Sequence, residues 1–151
     1  MDFCIYKISY MTGDLDPTKK IYVDPAHKEH AFDFPFWRDN QKLWALKVPV
    51  EDMNISELLW ILDVPFWEDE VGNIVIRPRD VMNDPDQYPF HRDKIDTADT
   101  SYPIDIMKNK NRKWLTLDGL HRLVKLILEN KTTVRVRKIP PNLIHLTARD
   151  E

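Results

Sequence analysis

The sequence predicts one α/β domain of the α+β kind, a small mixed sheet with flanking helices, preceded by an aromatic-rich N-terminal extension. Three observations carry that expectation. The chain has 151 residues, the size of a single core. Its 42% hydrophobic and 31% charged residues suit a globular fold and not a disordered one. From Ser101 onward the pattern reads strand, turn, strand, helix, strand, with a helix lying between two strands.

The first half is dense in aromatics and prolines, with Pro35-Phe36-Trp37, Trp44, Trp60 and Pro65-Phe66-Trp67 at irregular spacing and no internal repeat. Residues 1–42 read as an extension packed on the core, 43–140 as the domain proper and 141–151 as a C-terminal tail. Residues 43–50 have strand-like content without alternation. Asn54 can cap a short helix, with Glu57 three residues on and Ile55, Leu58, Leu59 and Leu62 in one apolar stripe, closed by Asp63 and Pro65. Ile74, Val75 and Ile76 read as a strand ended by Pro78. Residues 84–89 hold two prolines among turn formers, and 91–98 suit one more short helix.

Residues 103–107 are a strand beginning at proline, 108–113 its polar turn, and 114–117 the returning strand, with Leu115 and Leu117 on one face. Leu120, Leu123, Val124, Ile127 and Leu128 then follow the spacing of a half-buried helix. Asn130 and Lys131 suit its C-terminal end. Residues 133–137 alternate apolar with basic, as an edge or one-sided strand does, which leaves Arg135, Arg137 and Lys138 as a solvated basic face.

Composition excludes several classes. A net charge of −3 and a pI near 5.9 supply no global attraction to nucleic acid or to an anionic membrane. The basic strand leaves room only for weak contact, and the short stretch after Ile139 has no space for a helix-turn-helix, so sequence-specific DNA binding by the isolated chain is not expected. No apolar run approaches the roughly 20 residues of a membrane span, and the N-terminus lacks the pattern of a secretory signal. With Cys4 as the single cysteine, no intrachain disulfide can form, and a cytoplasmic location is the expectation. Three glycines are too few for a Gly-rich phosphate loop. His27 and His30 beside Asp24 lack the helical context of a metal site and read as surface residues.

The informative junction is Leu117-Asp118-Gly119-Leu120-His121-Arg122, where a strand turns directly into a helix. A helix N-terminus leaves its first N–H groups unpaired and carries about half a positive charge, so it accepts an anion readily. Gly119 would let a ligand approach the backbone, and His121 and Arg122 would add side-chain donors. The rival is that Asp118 caps the helix itself and occupies the place of the anion, unless it faces aside or holds Mg²⁺. His91, Arg92 and Lys94 lie upstream and read more simply as a solvated helix face.

The run from Tyr102-Pro103-Ile104-Asp105-Ile106, through the turn, to Trp114-Leu115-Thr116-Leu117-Asp118-Gly119-Leu120-His121-Arg122, a helix and Thr133-Val134-Arg135-Val136 resembles the core of the ParB/sulfiredoxin superfamily, whose shared motif is Gly-x-His/Arg-Arg at a strand-to-helix turn. The resemblance spans residues 101–139. It implies a nucleotide or other phosphate ligand, ATP, ADP or CTP with Mg²⁺, bound by Gly119, Leu120, His121 and Arg122, with Lys94 as a further phosphate contact. Asp118 would ligate the metal or accept a proton in phosphoryl transfer or nucleotide hydrolysis. The Asp-Gly-x-x-Arg form is closest to the free serine kinases and to uncharacterised ParB-like proteins. Leu120 stands where a sulfiredoxin carries its reactive cysteine, so sulfinic acid reduction is not expected. The alternatives are a non-catalytic module that docks a protein partner through its aromatic N-terminal half, and a nucleic-acid accessory protein or nuclease.

Overall fold

The computed structural model describes residues 4–6, 21–23, 36 and 38–150. The readings placed on His27, His30, Asp24 and most of the N-terminal extension lie outside the described residues. Strands β1 (Cys4–Tyr6) and β2 (Ile21–Val23) pair antiparallel.

A four-stranded mixed sheet organises the chain, in the order β3 (Val50–Asn54), β8 (Thr133–Lys138), β6 (Ile104–Lys108), β7 (Trp114–Asp118). The β6–β7 hairpin is antiparallel, turned at Asn109 through Arg112. Helix α4 (Leu120–Leu128) carries the chain back so that β8 joins β6 in parallel. This is the strand, turn, strand, helix, strand order of the sequence reading. A bulge at Asp105/Ile106 shifts the hairpin register and sets Asp105 opposite Asp118, while Asp105 also pairs with Arg137 of β8.

Both faces of the sheet are covered. One carries the larger core, in which Ile104, Ile106, Val134 and Val136 meet Leu120, Leu123 and Val124 of α4, together with Leu58, Ile61, Val81 and Ile95. On the other, Met107 and Leu117 meet Leu43, Ile139 and Ile144. That second face belongs to α1 (Asn40–Ala45) and the C-terminal 3₁₀ helix (Pro141–Thr147). Residue 38 bridges residue 148, and the Asp39 N–H donates to the Thr147 carbonyl. Residues 141–148 are thus a packed cover, and the boundary expected at residue 43 falls inside α1.

Several local expectations are corrected. Residues 43–50 hold the end of a helix capped by Asp39, and the strand begins only at Val50. The segment expected as an α-helix from Asn54 is a 3₁₀ helix, Ile55–Asp63. Three residues per turn stack Ile55, Leu58 and Ile61 on the buried side and turn Leu59 outward, Leu62 at the last turn is buried as well, and the Asn54 side chain caps nothing. Pro78 opens α2 (Pro78–Asn83) at its first position, where a missing N–H costs nothing. Trp67–Glu68, not read as a strand, is β4, paired with β5 (Ile74–Ile76). Helix α3 (Pro89–Asp96) begins two residues before the expected start. Leu128 is exposed although it falls on the expected apolar stripe. Asn130, at φ 61°, closes α4 with paired backbone bonds from Asn130 to Ile127 and from Lys131 to Leu126.

β8 is an interior strand and not an edge. Arg137 is buried, because α1 lies over its end of the strand and supplies carbonyl acceptors at Leu43 and Trp44. Only Arg135 of the expected basic face is exposed; Lys138 pairs with Glu51.

Candidate functional site

The turn from β7 into α4 opens on a cleft of about 780 Å³. Trp44 of α1, Trp67 of β4, and Phe90, His91 and Lys94 of α3 form walls around Thr116 and the turn residues Asp118, Gly119, Leu120 and His121. Four expected site residues plus Lys94 therefore share one cavity, although Lys94 is remote from the turn in sequence.

Gly119 is the N-cap of α4, at φ +104°, and no side chain caps the helix. The Leu123 N–H is the first to bond within the helix, to the Gly119 carbonyl, so the amides before it have no helical acceptor. Thr116, 2% exposed, adds a hydroxyl whose Oγ1 has no hydrogen-bond partner among the described residues. A buried unpaired hydroxyl is costly.

Asp118 does not cap the helix. Its Oδ2 accepts from Arg122 Nη2 at 2.8 Å and from Trp44 Nε1 at 2.9 Å. Arg122 also donates through Nη1 to the Pro103 carbonyl at 2.7 Å, tying α4 to the start of β6. The arginine lines a separate 520 Å³ hollow beyond Trp44, with Tyr102, Pro103, Asp105 and Arg137, and not the cleft. In this geometry Arg122, expected to grip phosphate, directs its fork to Asp118 and Pro103 on the opposite side of the turn. The space a Gly119 Cβ would take is filled by the Arg122 guanidinium, so the glycine makes room for arginine rather than for a ligand. Both donors to Asp118 use Oδ2, and no cluster of three or more metal-ligating side chains occurs among the described residues.

The histidines form a relay. His91 Nδ1 and His121 Nε2 lie 3.1 Å apart, and His91 Nε2 lies 2.8 Å from the Glu68 carbonyl. Both rings stack on Trp67, at centroid distances of 4.8 and 4.3 Å, and lie nearly coplanar with one another. Burial pulls the His91 pKa down despite the Glu68 carbonyl. It takes His121 to about 3, with His91 and Lys94 adding to the fall. Both rings are therefore neutral near pH 7. His121, expected as a side-chain donor, is thus a neutral ring in this setting. His91, read as solvated, is buried.

Asp105 is 2% exposed beside Asp118. Burial pushes its carboxyl up to about 6 against the pull of Arg137, and Asp118 adds to the rise. Arg137 Nε stands 3.1 Å away, out of line for a hydrogen bond. Fully buried Arg38 donates to the Leu117 carbonyl, and burial lowers it to about 10 against the pull of Asp118 and Asp105. Three arginines thus compensate two facing carboxylates.

Sequence reasoning missed Thr116, Trp44 and Trp67 as cleft residues. His91 had a usable signal, since it stands four positions before Ile95 and shares its inward helix face. Comparison of the chain with protein-family models, with curated proteins and with solved structures gave no match.

Proposed function

We propose that the cleft binds a phosphate-bearing ligand of the nucleotide class, with phosphate oxygens on the free amides of α4 and the Lys94 ammonium beside them. The observation that carries the reading is the uncapped α4 N-terminus opening on the cleft next to the unpaired, buried Thr116 hydroxyl. The lining holds three carboxylates, of which Asp39 caps α1, Asp118 is matched by Arg122 and Glu68 is accompanied by the cations Lys94 and Arg149 of the same lining. Exposed Trp44 and Phe90 offer aromatic faces for a base. The ParB/sulfiredoxin resemblance points the same way, and phosphoryl transfer or hydrolysis is the further step that it implies.

A thermal-shift panel of ATP, ADP, CTP and GTP, with and without Mg²⁺, tests the reading. A nucleotide at 100 times its Kd adds about 2.7 kcal/mol of stability. The shift should shrink in Lys94→Ala. A flat panel across all four nucleotides overturns the proposal, and release of ADP or phosphate from ATP reads turnover separately.

A further inference from the structure

The Glu68 carbonyl can only accept a hydrogen bond, so His91 Nε2, 2.8 Å away, carries hydrogen. In a neutral ring the other nitrogen then presents a lone pair. His121 Nε2, 3.1 Å from that Nδ1, must donate to it. The remaining ring nitrogen, His121 Nδ1, is left with a lone pair and accepts from no group among the described residues. The tautomer is set by a backbone carbonyl through two rings, both held flat against Trp67.

This places a neutral, fixed acceptor beside the cleft's donors, the α4 amides and Lys94, in a lining that also carries the carboxylates of Asp39, Glu68 and Asp118. A bare oxyanion oxygen meeting Nδ1 sets lone pair against lone pair, whereas a hydroxyl donates to it. Resting on the reading of the cleft given above, we infer that His121 is a specificity-determining residue that accepts a hydrogen bond from a ligand hydroxyl, so the site takes hydroxyl-bearing phosphates and rejects oxyanions without a proton. The hydroxyl belongs to a protonated phosphoryl group or to the sugar beside it.

Two titration arms on the full chain separate those sources at neutral pH. Inorganic phosphate always carries a P–OH there and sulfate carries none, at closely similar size and charge; ADP and 2′,3′-dideoxy-ADP differ in sugar hydroxyls alone. Weakening by about tenfold or more of sulfate relative to phosphate, or of the dideoxy nucleotide relative to ADP, is expected and identifies the donor. Equal affinity within both pairs overturns the inference while leaving phosphate binding in place. Binding of none of the four overturns both. Nitrogen NMR of the unliganded protein checks the tautomer without any variant: His121 should show a pyridine-type Nδ1 and a pyrrole-type Nε2, and the reverse pattern overturns the inference. His91→Phe keeps an aromatic ring against Trp67 but removes the acceptor for His121 Nε2, and should reduce the discrimination; full discrimination in that variant overturns the role given to the relay.

Discussion

The guanidinium of Arg122 folds back over Gly119, its atoms 3.0 to 3.2 Å from the position a Cβ there would occupy. Glycine is thus required twice at the head of α4, once for its φ of +104° and once for the space. The two residues form one device that fixes how the helix leaves the sheet.

Gly119→Ala should therefore destabilise the protein by about 1–3 kcal/mol, from backbone strain and displacement of the guanidinium. Urea denaturation reads the loss. An unchanged midpoint would show that the turn relaxes without cost.

Arg122→Ala should cost about 1.5–3 kcal/mol of stability, because it leaves the Asp118 carboxylate and the Pro103 carbonyl without their donor. Arg122→Lys should recover little, since one ammonium cannot reach both acceptors in the same fork. Nucleotide affinity at matched folded fraction should stay within about threefold. Full stability with lost affinity would return the arginine to the phosphate.

Asp105 should oppose the usual acid sensitivity. Its folded pKa of about 6 lies above the ordinary 3.8, so the folded state holds more protons between those values and stability falls as pH rises through that window. Comparing the pH dependence of unfolding in the wild type and in Asp105→Asn isolates this contribution, which should vanish in the variant. Parallel curves would place the ionisation elsewhere.

His121 should have the opposite slope. Its folded pKa, about 3, lies below the ordinary 6.5, so the unfolded chain takes the proton first and stability is lost as pH falls from 6.5 towards 3. His121→Gln should flatten this acid limb while weakening the contact to His91. Retention of the full wild-type limb would be the contrary outcome.

Legibility in the sequence followed the range of the interactions. The hairpin, α4 and its Asn130 terminus were readable because apolar spacing and turn chemistry act locally. The helix before Pro65 is ambiguous in type, since Ile55 and Leu58 fit periods of 3.6 and 3.0 alike, exposed Leu59 and buried Ile61 fit 3.0, and buried Leu62 fits 3.6. The Asp118–Arg122 turn stands out in the sequence and the fold opens a cleft beside it, but the contacts its residues make are not local. Asp118 and Arg122 stand four apart across a helix start, a spacing that permits a salt bridge as readily as a shared ligand. Nothing local announces that Trp44 will donate to Asp118 or that His91 will meet His121, because those contacts need the sheet assembled first.

The insertion of β8 between β3 and β6 governs how the chain is built during synthesis. Strand β3 emerges early but has its partner only when residues 133–138 have left the ribosome. Until then the β6–β7 hairpin is one edge of an unfinished sheet and β3 a lone segment. Apolar surface on Met53, Ile104 and Ile106 waits for the strand that joins them, and the nascent chain passes through an interval in which chaperone binding and mispairing compete with completion.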